Sequence, residues 1–113
     1  MPPAPRLVDT GPAFRLAALA ESRGDLIGAI NHYREALRID PANAIAPREI
    51  ARVRAKYYLQ RAESSLEAGD YNSAQSDVST AIDLEPGNTA AAELMKKIEQ
   101  ARSAETKKRP PGE

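Results

Sequence analysis

The chain has no cysteine, no tryptophan and one histidine, His32, among its 113 residues. Without Cys there is no disulfide framework and no thiolate metal site, and a lone His supplies no zinc-type ligand set. No metal and no cofactor are expected. The six glycines are scattered, so no phosphate-cradling loop appears. Aromatics are few, one Phe and four Tyr; with many alanines this suits closely packed helices better than a sheet core. No apolar run approaches the roughly 18 residues that span a bilayer, and the opening MPPAPRLVDTGP has no apolar segment of the secretory kind. Sixteen basic residues offset sixteen acidic ones, so no overall field draws the chain to nucleic acid or an anionic membrane. Membrane insertion is not expected either.

What is present is an internal echo. Gly24 to Pro41, GDLIGAINHYREALRIDP, is retold from Gly69 to Pro86, GDYNSAQSDVSTAIDLEP. Gly24 and Gly69, Asp25 and Asp70, Ala29 and Ala74, Ala36 and Ala81, Pro41 and Pro86, and Asn43 and Asn88 share offsets. Gly suits a left-handed helix end and Asp the start of the next helix. Small alanines let two helices approach closely, and Pro ends the second.

The pattern predicts an all-α fold of about five helices. Residues 1–10 are Pro-rich and expected to be disordered. A helix over about 12–23 places Ala13, Leu16, Ala17 and Ala20 inward, and a second over 25–39 buries Leu26, Ala29, Ile30, Tyr33, Ala36 and Leu37. Gly24 and Gly69 lie 69 − 24 = 45 residues apart. Ala51, Ala55, Tyr58, Ala62 and Leu66 recur at spacings of three and four, which predicts one long helix from residue 44 or 47 to Ala68, with Pro47 in its first turn. Further helices follow over 71–84 and 89–104. The charged tail 105–113 is expected to be disordered.

Each copy reads Ala-x3-[Tyr/Val]-x2-Ala-x4-Pro, which resembles the second half of a tetratricopeptide repeat. The first-helix half is degenerate, Ala13-x2-Leu16-Ala17-x2-Ala20 and Tyr58-x2-Arg61-Ala62-x2-Ser65, with Arg61 where the family usually has Leu. The resemblance covers residues 11–104: repeat one over about 10–43, an extension over 44–54, repeat two over 55–88 and a capping helix over 89–104. The family's period is about 34 residues, so the second copy carries about eleven extra, nearly three whole helical turns. The resemblance implies an α-solenoid of antiparallel helical hairpins that acts as a non-catalytic protein-interaction or assembly module for a protein or peptide partner. The alternative it implies is an appended regulatory, spacer or oligomerisation domain of a larger bacterial envelope, signalling or secretion protein. It would be cytoplasmic if full length, and periplasmic if cut from an envelope protein.

No catalytic constellation is evident: Ser64, Ser65, Ser76 and Ser79 have no neighbouring base. In the family the inner face is lined by first-helix residues. The resemblance carries that role to Phe14, Ala18 and Glu21 of repeat one and to Lys56, Leu59, Glu63 and Leu66 of repeat two. Arg48, Arg52 and Lys56, four apart, stack on the same side of the long helix. That face would suit a peptide with acidic and apolar residues; the competing reading is a solvated charged face. The carboxylate clamp of chaperone-tail binders is not matched, because its positions hold Phe14, Ala18, Gln60, Ala90 and Leu94. Ile50, Val53 and Tyr57 fall off the core stripe and are expected to form an exposed seam for self-association or partner docking.

Overall fold

The periodicity is realised as helix throughout. The computed structural model describes residues 9–108, which form α1 Gly11–Ser22, α2 Leu26–Ile39, α3 Ile45–Glu67, α4 Tyr71–Leu84 and α5 Thr89–Lys108. There is no strand among the described residues. Residues 1–8 and 109–113 lie outside them, so the expected disorder of both ends concerns this structure only at 9–10 and 105–108.

The echoed sentence builds the same joint twice. After α1, Gly24 N donates to Glu21 O and Asp25 N to Ala20 O, both at 2.9 Å. After α3, Gly69 N donates to Leu66 O at 3.0 Å and Asp70 N to Ser65 O at 2.8 Å. This paired closure needs a left-handed residue, and the glycines supply it with φ of +80° and +77°. Each following Asp starts the next helix. Asp25 Oδ1 accepts from Gly28 N at 2.9 Å and Asp70 Oδ1 from Ser73 N at 3.1 Å. The Asn residues after each Pro repeat the device: Asn43 Oδ1 accepts from Ile45 N and Ala46 N, and Asn88 Oδ1 from Ala91 N.

The chain divides into two compact units, Met1–Val53 and Arg54–Glu113. In the first, α1 packs on α2. Ala13, Ala36 and Ala46 form a small buried cluster on which Phe14 and Leu37 pack. Leu16, expected inward, is instead 48% exposed. Only alanines, Ala13 and Ala17, are buried on α1, and Leu16 is turned about 100° from Ala17. In the second unit Ala55, Leu59, Ala62, Ala74, Val78, Ala81, Ala91, Leu94 and Ile98 form the core.

The long helix is continuous, as the lack of Gly or Pro after Pro47 predicts. Its buried positions nonetheless differ from the expected single stripe. Over 45–53 they are Ala46 and Val53, seven apart and so on one face; over 54–67 they are Ala55, Leu59 and Ala62. Ala51 is only half-buried. Val53 therefore shares the face of the clustered Ala46 and is fully buried, at 0% exposure, which removes it from the expected seam. Ile50 and Tyr57 are half-buried. A further correction concerns α5, which runs to Lys108 rather than ending at 104. Ala104, Glu105, Lys107 and Lys108 are good helix formers, the two lysines suit the negative end of the helix, and Thr106 Oγ1 donates to Arg102 O at 3.0 Å.

Candidate partner-binding surface

In the first unit the expected binding residues meet a bonded cluster. Arg52 lies one turn after Glu49 on α3, and Glu21 stands in the last turn of α1. Arg52 Nη1 and Nη2 donate to the two oxygens of Glu21 at 2.7 and 2.6 Å. Its Nε and Nη2 reach Glu49 Oε2 at 3.2 and 2.8 Å. Tyr33 of α2 donates from its hydroxyl to the same oxygen at 3.3 Å. A planar guanidinium held by two carboxylates is the strong form of such contacts. The Glu21 hydrogen bond is the main cause that raises the Arg52 pKa further above its ordinary value, with Glu49 adding to it. Burial, then the charge of Glu49, pushes the Tyr33 phenol up.

This arrangement corrects the reading of Arg52 as a partner contact. Nearly all of its donors are used inside the chain, joining α1, α2 and the start of α3. Phe14 is likewise occupied: it is half-buried on the alanine cluster, with its ring edge-on to Tyr33 at 5.7 Å. Ala18 and Arg48 are exposed.

In the second unit Leu59 is 9% exposed and belongs to the core, so its expected place on the binding face is corrected too. Leu59 lies four residues after Ala55 and three before Ala62, within the buried stripe. Leu66 is half-buried against the same core, while Lys56 and Glu63 are exposed. Arg61 does not enter the core. Its Nε lies 3.7 Å from Asp77 Oδ2, and its guanidinium carbon 5.8 Å from the ring centres of both Tyr57 and Tyr58. The two rings meet edge-on at 5.4 Å. Asp77, 9% exposed, is a buried carboxylate on α4 with a cation at its mouth.

Two features escaped the sequence reading. Glu49 and Arg52 could have been paired from their spacing of three, but Glu21, expected on the same inner face, gives no local signal of its bond to Arg52 thirty-one residues on. An open cleft of about 460 Å³ is lined by Ala68, Gly69, Tyr71, Arg102, Glu105 and Thr106. There Arg102 donates from Nη2 to Asn72 Oδ1 at 2.9 Å, and its buried Nε has no partner. Among the described residues no three His, Cys, Asp or Glu side chains gather as a metal site, and no helix is long and apolar enough to cross a membrane.

Compared with known proteins, the chain matches no family model, and no curated protein matches it. The class rests on the structure itself: five α-helices and no strand among the described residues, with one capped joint built twice.

Proposed function

We propose that the chain is a non-catalytic protein-interaction module of the tetratricopeptide-repeat kind, with two helical hairpins and a closing helix. The observation that carries this reading is the repeated joint: the same Gly closure, Asp cap and Asn cap recur at Gly24/Gly69, Asp25/Asp70 and Asn43/Asn88. A stacked-repeat architecture reuses one unit in this way. The side chains that combine charge with burial also support a structural role for the polar groups: Arg52 is held by Glu21 and Glu49, and Asp77 is faced by Arg61.

The partner is a protein or peptide segment with acidic residues. Its contact is Arg48, which is exposed on α3 and makes no ion pair among the described residues. The test compares wild type with Arg48→Glu as bait in extracts of the source cells, with mass spectrometry of what is retained. A protein held by wild type and lost from the variant, at unchanged circular dichroism, supports the reading. An identical retained set, or none from either bait, overturns it.

A further inference from the structure

The water-facing side of α1 has a composition unlike that of the other candidate surfaces. Pro12, Arg15, Leu16, Leu19 and Arg23 stand at offsets of three, four, seven and eleven from the first. A helix of 3.6 residues per turn gathers these offsets into an arc of about 100°. The buried Ala13 and Ala17 lie on the other side. Leu16 and Leu19 are 48% and 45% exposed, among the four most exposed large apolar side chains described. Arg23, the C-cap residue, continues the line with near-helical φ and ψ of −90° and 1°.

The charges beside the leucines have one sign. Arg15 and Arg23 are exposed, and neither makes an ion pair among the described residues. The carboxylates of this segment have other uses. Glu21 holds Arg52, and Asp9 accepts from Gly11 N at 2.9 Å. The result is an apolar ridge of Leu16 and Leu19 with a cation at each end, Arg15 and Arg23, about 12 Å apart along the axis at 1.5 Å per residue.

We propose that this ridge docks an amphipathic helix of a partner protein whose apolar stripe is bordered by Asp or Glu. A ridge of side chains at three- and four-residue spacing fits the grooves of another helix. Burying two leucines supplies the apolar centre, and the border carboxylates would neutralise Arg15 and Arg23, which sets orientation and partner choice. A second copy of this chain fits less well, because it brings the same arginines and no uncommitted carboxylate from its own α1. The surface is separate from the Arg48 contact and does not depend on it.

The experiment titrates the full chain, labelled with nitrogen-15, with a side-chain-stapled helical peptide of about fourteen residues, stapled because short helices are marginal in water. The peptide carries Leu at i, i+3 and i+7 bordered by Glu; a twin has Lys in place of Glu. Light scattering of the chain alone and a sedimentation assay with anionic phospholipid vesicles run alongside. The expected result is shift changes confined to residues 12–23, with binding of the Glu peptide about tenfold tighter than its twin at low salt. Leu16→Ser/Leu19→Ser should abolish these changes, and Arg15→Glu/Arg23→Glu should reverse the preference between the two peptides. The proposal is overturned by no binding, by equal affinity for both peptides or by shifts centred elsewhere. A doubled mass that depends on Leu16 and Leu19 would make the ridge a self-association face, and vesicle binding that depends on them a lipid face; either also overturns it. If the leucine variant fails to fold, the charge reversal alone decides.

Discussion

The two units begin their second helices with nearly the same words yet hold together differently. In Met1–Val53 the apolar residues Ala13, Ala17, Leu26, Ala29, Ile30, Tyr33, Ala36, Ala46 and Val53 are buried, and three helical segments are joined in addition by the polar Glu21–Arg52–Glu49–Tyr33 cluster. In Arg54–Glu113 nine buried residues, among them Val78, Leu94 and Ile98, form a continuous apolar core. The exposed large apolar side chains do not divide evenly: Leu16, Leu19, Ile27 and Ile45 all belong to the first unit. One repeat phrase thus specifies a joint, while the residues around it decide which polar contacts are added inside and which apolar side chains are left outside.

The largest expected effect is in the second unit. Ile98 is fully buried, and Ile98→Ala should cost about 2–5 kcal/mol by loss of contact and the cavity left behind. Urea unfolding measures it; a cost under about 1 kcal/mol would mean that the core relaxes far more than the packing implies. Overpacking tests both units at one repeat position. Ala29 and Ala74 are each at 0% exposure, so Ala29→Leu and Ala74→Leu should each destabilise by about 1–3 kcal/mol. Clearly unequal losses in thermal melts would show that the two close approaches are not equivalent.

The ionic cluster should matter less. Arg52→Ala removes the bridge between Glu21 and Glu49, but the Arg52 side chain is 38% exposed, so about 1 kcal/mol is expected after solvent screening. The loss should shrink as salt is raised from low ionic strength, which distinguishes it from loss of packing. At the second joint, the hydrogen bond from Ser73 holds the Asp70 carboxyl below its ordinary range. Its stabilisation is present above the unfolded carboxyl value of about 3.9 and is lost as pH falls through the lower folded value. The gap in melting temperature between wild type and Asp70→Ala should therefore narrow below about pH 4; a constant gap would contradict the charged cap. Smallest of all, half-buried His32 lies outside both core clusters, and His32→Ala should stay within about 0.5 kcal/mol of wild type.

Local chemistry made the helices and joints legible. Gly-Asp, Pro-x-Asn and the absence of breakers after Pro47 act within a few residues, so Gly24, Asp25 and α3 could be read directly. Packing was less legible. α3 carries apolar residues on more than one side, and periodicity alone does not say which side is covered; Val53 was therefore read as exposed and Leu59 as a ligand contact. Leu16 was misread because a helix that meets its neighbour through alanines leaves its leucines outside. Most of the candidate surface escaped for the same reason. Whether Arg52 is available depends on Glu21, thirty-one residues away, and no spacing rule reaches that far.

The placement of the tyrosines gives the molecule a built-in optical readout. With no tryptophan and four tyrosines, its near-ultraviolet absorption and emission are tyrosine signals. Tyr33, the first unit's single described ring of this kind, is 4% exposed, and its hydroxyl donates to a carboxylate. Burial, then the charge of Glu49, shifts ionisation of this phenol to more alkaline solution. Tyr57 and Tyr58 of the second unit touch edge to edge beside Arg61, a geometry that couples their transitions in circular dichroism. Tyrosines thus sit in structured surroundings in both units, and unfolding can be followed through them with no label attached.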